Sequence, residues 1–444
     1  MEVVCFGAGR VAGPLVAYLL KQSGVSVCVA SAVPGEAEAL CAKYRHLASD
    51  GARLTSLDVD VMDEDNCGAR VDELCVKADC VVALVPEPAQ IRITQACVRA
   101  KTKLVTASYP SPGIKKLAAA AHAAGVPILC EMGLDPGMDH MITMKMIDDI
   151  KGTNGKVVGF SSVCGGLPAP DAANNPIKYK FSWSPLGALR AAQRPAQFLS
   201  DGSVITIPGD DIMSHAIPVE LFPKYELEQI PNGYSLSYAE YYNIPDAKSI
   251  FRGTLRFKGF CSVIQQCIKI GLLDEKKVVS RGTKWVELLA GSMKQACLEL
   301  DTPTKVFLHW LGLTSSLSVP RTQPLMHSFC DVLLEKLSFA PGERDLVLMQ
   351  VGIEAEFPDG STEVREALFE AIGDPHGDTV MAKTVGLTAA IGVTLLLNGT
   401  VKSAGLLTPT LPEVYKPCLE LLAAEGIHFE ERRTLKVPPK NPRL

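Results

Sequence analysis

Short apolar runs alternate with amphipathic stretches over the first 130 residues. The runs at 3–6, 25–30, 54–57, 80–85, 104–106 and 127–130 predict strands. Helices are predicted between them: about 12–23, a stretch from near Gly35 with Ala37, Leu40 and Cys41 on one face, then 63–77, 86–99 and 114–124. The strand interiors are Val-rich and do not alternate, which is expected when both faces of a sheet are covered. Strands regularly followed by helices predict a doubly wound α/β unit with a parallel sheet.

The texture changes after Gly137. Strand-like runs at 157–164 and 204–207 mix with helices and many Pro and Gly, which suggests an α+β unit. Residues 265–340 are mainly helical in pattern, with Trp285, Leu288, Leu289 and Met293 on one face, as a core stripe would be. A strand returns at 346–357, and 380–398 is an apolar helix with Gly399 placed to stop it. The expected organisation is therefore a dinucleotide domain over 1–132 completed by 376–404, an α+β substrate domain over 133–265 plus about 341–375, a helical domain over 266–340, and a disordered tail over 436–444.

With 444 residues and 47% hydrophobic content, the chain can build more than one core. A net charge of −5 gives no basic field for nucleic acid or anionic lipid. The longest apolar run, 387–397, is read as too short for a membrane span. The 14 cysteines form no C-x-x-C pair and sit singly in apolar runs, which suggests reduced, buried thiols and no zinc site. The strand at Val3 follows Met1-Glu2 directly with no targeting pattern, so the expectation is a cytoplasmic protein.

Gly7-Ala8-Gly9-Arg10-Val11-Ala12 follows a predicted strand and opens a predicted helix, the G-x-G-x-x-A form of the dinucleotide fingerprint. Gly7 allows the tight turn, Gly9 lets the backbone approach a pyrophosphate, and Ala12 keeps the helix close to the sheet. The helix start offers free N–H groups to phosphate. At the end of the second strand, Ala30-Ser31-Ala32-Val33 lacks the acid that binds the ribose of NAD. Ser31, with Arg10 in the glycine loop, suits a 2′-phosphate instead, so the reading tilts to NADP and leaves NAD open.

Several later segments are richer in polar chemistry than loops usually are. They are Thr106-Ala107-Ser108-Tyr109, the run from Gly133 to His140 (GLDPGMDH), Cys164 to Pro170 (CGGLPAP), Lys180 to Ser184 (KFSWS) and Arg252 to Arg256 (RGTLR). In this order, the strings resemble the glutamate-forming saccharopine dehydrogenases of lysine metabolism, over about 1–431. The resemblance implies an N-terminal Rossmann domain with inserted α+β and helical domains, and a homodimer. It implies reversible NAD(P)-dependent conversion of saccharopine to glutamate and 2-aminoadipate 6-semialdehyde. Carried over by motif, it implies cofactor contacts at Gly9, Arg10, Val11, Ala12, Ser31, Ala32, Asp58, Val59, Val85, Ala107, Ser108, Leu134, Asp135, Pro136 and Ser184. It implies substrate contacts at Ser108, Tyr109, Asp135, Thr254, Leu255 and Arg256.

The residue chemistry agrees. Saccharopine is a secondary amine with several carboxylates, and a guanidinium grips a carboxylate with two hydrogen bonds, which favours Arg256. Asp135 can hold the substrate nitrogen or accept its proton, with Tyr109 beside it as the second catalytic candidate. His140 is read as support for the site.

Two departures stand out. The family carries an arginine after Pro-Asn, where this chain has Pro231-Asn232-Gly233. It also commonly carries Pro-Tyr where this chain has Pro86-Glu87. Lys178, Arg252 and Lys258 are candidates to replace the missing charge. Gly233 keeps open an enzyme acting on another carboxylated secondary amine, of opine or carboxynorspermidine type. A nucleotide-sensing protein without catalysis is the remaining alternative.

Overall fold

The computed structural model describes residues 1–49 and 51–436. The chain forms two units: Met1–Asp149 with Val380–Glu430, and Ile150–Thr379 with the strand that ends at Lys436.

The first unit opens with β1 (Glu2–Phe6), α1 (Ala12–Leu20), β2 (Ser26–Ser31), α2 (Glu36–Tyr44), β3 (Leu54–Asp58), α3 (Glu64–Lys77), β4 (Cys80–Ala83) and α4 (Glu87–Ala100). It continues through β5 (Lys103–Val105), α5 (Pro112–Lys115), α6 (Ala118–Ala123), β6 (Pro127–Leu129) and α7 (Met138–Lys151). Local chemistry sets several boundaries. Asp63 caps α3 by accepting the Asn66 N–H, and Ser111 caps α5 by accepting the Ile114 N–H. The helix expected at 114–124 divides in two, where the bonding tightens to a Leu117 N–H···Ile114 C=O turn. The strand expected at 80–85 stops at Ala83, which leaves Leu84 and Val85 in the loop at its end.

The second unit comprises β7 (Lys156–Pro168), α8 (Pro185–Ala191), β8 (Ala196–Ser200), β9 (Ser203–Ile207), β10 (Ile217–Val219), β11 (Leu227–Pro231), α9 (Tyr238–Tyr241) and β12 (Ser249–Phe257). Next come α10 (Phe260–Lys269), β13 (Val278–Val279), α11 (Trp285–Ala296), α12 (Thr302–Trp310), β14 (Gln323–Pro324), α13 (Leu325–Leu337), β15 (Asp345–Glu356) and β16 (Thr362–Ile372). Its mixed sheet places the parallel pair β7 and β12 beside the long antiparallel pair β15 and β16. The stretch expected as a separate helical domain, 266–340, does not have a core to itself. Trp285, Phe307 and Phe329 share one apolar cluster with Ile177, Phe181, Ile230 and Phe260. The helices are a layer on the sheet's own core, because their apolar stripes have no other surface to bury against.

The chain then returns to the first unit with α14 (Val380–Leu397), β17 (Gly405–Leu407) and α15 (Pro412–Ala424), and β18 (Glu430–Lys436) joins the second sheet beside β16. The return runs beyond the expected 404. β17 adds a parallel strand on β6, and α15 buries Val414, Tyr415, Cys418 and Leu422. The first sheet thus has the order β17-β6-β5-β4-β1-β2-β3. The strand sequence reverses at β1, and the crevice beyond the carboxyl ends of β1 and β4 is where such sheets hold ligands.

At 18 residues, α14 is long and apolar enough to cross a membrane, contrary to the shorter run read from the sequence. Here it is mostly buried and packs on α1. Gly386 makes the crossing possible, since a Cβ there would lie 2.6 Å from the Val11 carbonyl oxygen. Of the tail expected from 436, Lys436 ends β18, and 437–444 lie outside the described residues.

Candidate active site

In the first unit, the glycine loop sits at the β1–β4 switch point. Gly7 has φ +107°, and its N–H donates to the Ala30 carbonyl at 2.8 Å. A Cβ on Gly7 would meet the Leu84 carbonyl oxygen at 2.4 Å, so only glycine fits. Gly9 differs: a Cβ there would meet no protein atom within 4 Å. The space in front of Gly9 is open, as a phosphate-binding backbone requires. Arg10 is exposed and Val11 is the N-cap of α1, with no side chain capping the helix. The Ala12 N–H donates to the Gly9 carbonyl at 3.1 Å and Pro14 has no N–H, which leaves the Gly13 N–H at the helix start for an anion. Ala12 is fully buried against the sheet. These residues fit the pyrophosphate of a dinucleotide.

At the ends of β2 and β3, Ser31 and Asp58 are register partners. Ser31 is buried, Ala32 is exposed, and the Val59 N–H donates to the Ser31 carbonyl at 2.8 Å. The sequence reading found no acid here, but folding brings one: the Ser31 hydroxyl donates to Glu36 Oε2 at 2.6 Å. Asp58 Oδ1 accepts the Gly35 N–H at 3.1 Å.

Along the other half of the sheet, Gln90 on α4 donates to the Val85 carbonyl at 2.6 Å and to Ser108 Oγ at 2.8 Å. Gln90 thus ties two expected cofactor positions together, and nothing in its sequence context marks it. Ala107 lies against Gly133, where an added Cβ would meet it at 3.3 Å. Tyr109 Oη donates to Asp135 Oδ1 at 3.1 Å, so the two catalytic candidates are in contact. Leu134 is buried, Asp135 is half-buried, and the Asp135–Pro136 bond is cis. Behind them, His140 is fully buried, with Glu131 Oε2 3.5 Å from Nε2 and Asp139 Oδ2 3.6 Å from Nδ1. Its ring meets that of Tyr109 edge-on at 6.5 Å. Glu131 and Asp139 complete this cluster and were not singled out from the sequence. Glu87 is an exposed first-turn residue of α4.

Eleven of the 14 thiols are buried as expected, while Cys67 and Cys330 are half-buried and Cys297 is exposed. Burial pushes Cys5 and Cys80 up to about 12, and all 14 cysteines are free.

In the second unit, Arg256 is buried on β12 between two aromatic rings, 5.1 Å from the Tyr179 centroid and 5.3 Å from that of Phe260. Its Nη1 donates to the Leu255 carbonyl at 2.7 Å. Among the described residues no carboxylate forms an ion pair with it: its register partner on β11, the buried Glu228, accepts the Cys261 N–H at 2.8 Å, and the Arg256 Nε and the nearby Tyr179 Oη are buried without hydrogen-bond partners. A small cavity of about 30 Å³ lies here, lined by Thr254, Arg256, Tyr179, Phe181 and Phe260. Leu255 faces the opposite way, fully buried in the cluster with Leu167 and Leu346, so only its backbone can serve the cavity side. Ser184 caps α8 by accepting the Gly187 N–H.

The candidates to replace the missing arginine fare differently. Arg252 is buried and donates to Tyr238 Oη at 2.6 Å, while Lys178 and Lys258 are exposed. Arg194 is better placed, because its Cδ lies 3.4 Å from where a Cβ on Gly233 would be.

The sequence matches the family models described as saccharopine dehydrogenase NADP binding domain over residues 3–129 and saccharopine dehydrogenase C-terminal domain over residues 133–427. It is 34% identical over 456 residues to the mitochondrial alpha-aminoadipic semialdehyde synthase of Bos taurus, covering 98% of this chain and 48% of that protein. The chain therefore spans about half the length of the first curated relatives it matches. It is 33% identical to the NADP(+), L-glutamate-forming saccharopine dehydrogenase of Saccharomyces cerevisiae, covering 97% of this chain and 99% of that one. The fold is similar to the crystal structure of apo saccharopine dehydrogenase (L-Glu forming) from the same yeast, with a TM-score of 0.86 at 32% identity over 98% and 99% of the two chains. A glycine-loop crevice, a Tyr109–Asp135 pair and a buried, unpaired arginine thus lie within a full-length match, and the chain belongs to the saccharopine dehydrogenase family.

Proposed function

We propose that the chain is an L-glutamate-forming saccharopine dehydrogenase. It oxidises the secondary amine of saccharopine, with water, to glutamate and 2-aminoadipate 6-semialdehyde, and runs in reverse when the reduced cofactor is in excess. The cofactor is NADP, with NAD as the second candidate, and the nicotinamide supplies the hydride chemistry. The observation that carries the reading is Arg256, a buried cation with no carboxylate in ion-pair range, whose register partner Glu228 is bonded to the Cys261 N–H instead, and which lines a cavity. Burying a charge unpaired is costly, and an anionic ligand is the partner that offsets the cost.

The remaining roles follow from the geometry. The glycine loop and the uncapped start of α1 hold the pyrophosphate. Gln90 fixes Ser108 for the cofactor and the substrate. Tyr109 and Asp135 form the polar pair at the reacting nitrogen: Asp135 balances charge there and Tyr109 orients it by the observed hydrogen bond. Thr254 and Arg256 bind a substrate carboxylate. Arg194, beside Gly233, supplies the second guanidinium that the family places on the neighbouring turn.

Purified protein given saccharopine and NADP or NAD should form reduced nicotinamide, followed by its absorbance. Binding of either nucleotide without turnover would sink the saccharopine assignment. A homodimer and a cytoplasmic location belong to the same proposal. Light scattering on the purified chain tests the first, and imaging of a tagged chain tests the second.

A further inference from the structure

The adenosine end of the dinucleotide crevice carries an acid that the sequence motif does not announce. We infer that Glu36 is the residue by which this chain discriminates between NADP and NAD, and that it does so by opposing the 2′-phosphate. The inference rests on the dinucleotide reading given above and concerns the specificity of that site.

Dinucleotide folds that take NAD place a carboxylate at the end of the second strand, where it accepts a hydrogen bond from the ribose 2′-hydroxyl. The strand here ends in Ala30-Ser31-Ala32, with no acid. Gly35 then adopts φ +75° and turns the chain so that α2 starts with Glu36 facing back toward the strand. Glu36 Oε2 takes the Ser31 hydroxyl proton at 2.6 Å. The Ser31 oxygen in turn accepts the Val33 N–H at 3.2 Å. The hydroxyl has one proton and directs it to Glu36, so a phosphate must compete with that carboxylate for it.

A second carboxylate stands alongside. Asp58 is the register partner of Ser31 on β3, and its Oδ1 is bound to the Gly35 N–H at 3.1 Å. The start of α2 favours negative charge, but Glu36 is its first residue and already benefits from that field. A 2′-phosphate at Ser31 therefore meets two carboxylates and an engaged hydroxyl, and its attraction must come from elsewhere, Arg10 on the glycine loop being the candidate cation. A ribose 2′-hydroxyl, by contrast, can donate to Glu36 directly. The acid missing from the strand end is restored by the helix that follows it.

The test is nucleotide affinity, measured by titration calorimetry on the intact chain and on Glu36→Gln. Glutamine keeps an acceptor for Ser31 and removes the charge. NADP, NAD and the fragments 2′,5′-ADP and 5′-AMP are the probes, the fragments because they sample the adenosine end alone. The expected result is that Glu36→Gln tightens NADP and 2′,5′-ADP about tenfold at low salt, while NAD and AMP stay the same or weaken by up to about threefold. The gain should shrink in about 0.5 M salt, where such charges are screened. Equal changes for NADP and NAD, or no change for NADP, overturn the inference while leaving the dinucleotide site standing. If the unaltered chain binds neither NADP nor NAD, the dinucleotide reading falls and the inference falls with it.

Discussion

Replacing Arg256 by methionine separates a ligand-binding arginine from a structural one, because the two roles predict opposite effects on the free protein. Methionine keeps the length and fills the space between Tyr179 and Phe260, but it removes the cation and its donors. In the unliganded chain the losses are the hydrogen bond to the Leu255 carbonyl and the contact with two rings, each worth about 1 kcal/mol. The gains are relief of a buried charge and of an Nε with no partner, about 1–3 kcal/mol. The terms nearly cancel, so the melting temperature should hold or rise slightly. With substrate the balance is one-sided. A carboxylate loses charged hydrogen bonds worth about 1.5–3 kcal/mol, which raises the saccharopine KM roughly 10- to 150-fold. The NADP dissociation constant should not move. Steady-state kinetics, calorimetric nucleotide binding and thermal melting on the same two proteins decide the matter. An unchanged KM would refute the carboxylate role, and a large drop in melting temperature with loss of nucleotide affinity would show that Arg256 is structural.

Five further substitutions have expected outcomes. Gly9→Ala should leave melting unchanged, since its Cβ meets no protein atom, yet weaken NADP at least about tenfold; Gly7→Ala should lower both, because its Cβ strikes the Leu84 carbonyl at φ +107°. Tyr109→Phe removes the hydroxyl bonded to Asp135 and should lower kcat about 10- to 100-fold with nucleotide affinity intact. Arg194→Ala should raise the saccharopine KM about tenfold and leave NADP binding alone if Arg194 makes up for Gly233. Lys180→Met should cost about 2 kcal/mol near neutral pH by stranding Glu343. Burial alone would raise the Glu343 carboxyl, but hydrogen bonds from Lys180 and the Ala340 N–H outweigh it and hold the group below its usual range. A carboxyl depressed in the folded state contributes stability above its unfolded value and loses it as pH falls through the folded one. The gap between the two proteins' melting temperatures should therefore close on acidification below about pH 4.

The first unit was legible where the code is local. Val-rich runs of four to six residues mark strands buried on both faces, and β1 to β6 lie where those runs are, within a residue or two at most ends. Elements that depend on a distant partner were not legible. β17 is three residues, Gly-Leu-Leu, and exists because β6 offers an unpaired edge. β16 reads Thr-Glu-Val-Arg-Glu-Ala, too polar to announce a strand, but it pairs along the whole of β15. The supposed helical domain failed for a related reason: an apolar stripe says that a helix buries a face but does not say against which core.

The site divides along the same line. Gly7 and Gly9 are demanded by backbone geometry within one turn, and the spacing displays them. Tyr109 and Asp135 are 26 residues apart, yet motif strings marked both, and the fold joins them through a hydrogen bond. Gln90, Glu131 and Glu36 had no such strings, and Asp139, though inside GLDPGMDH, was given no role there. Gln90 reaches Ser108 only when the sheet unit assembles, Glu131 and Asp139 flank His140 from nine residues and one residue away, and Glu36 meets Ser31 across one turn. The NADP reading from residues 30–33 agrees with the match to an NADP binding domain, although it was drawn from strand position alone. Folding also brings a carboxylate to Ser31 from five residues further on, through a turn that ends in a left-handed glycine. The cofactor preference of such a site therefore follows from where the carboxylate comes to rest, and a strand-end motif is informative only when the following turn is known.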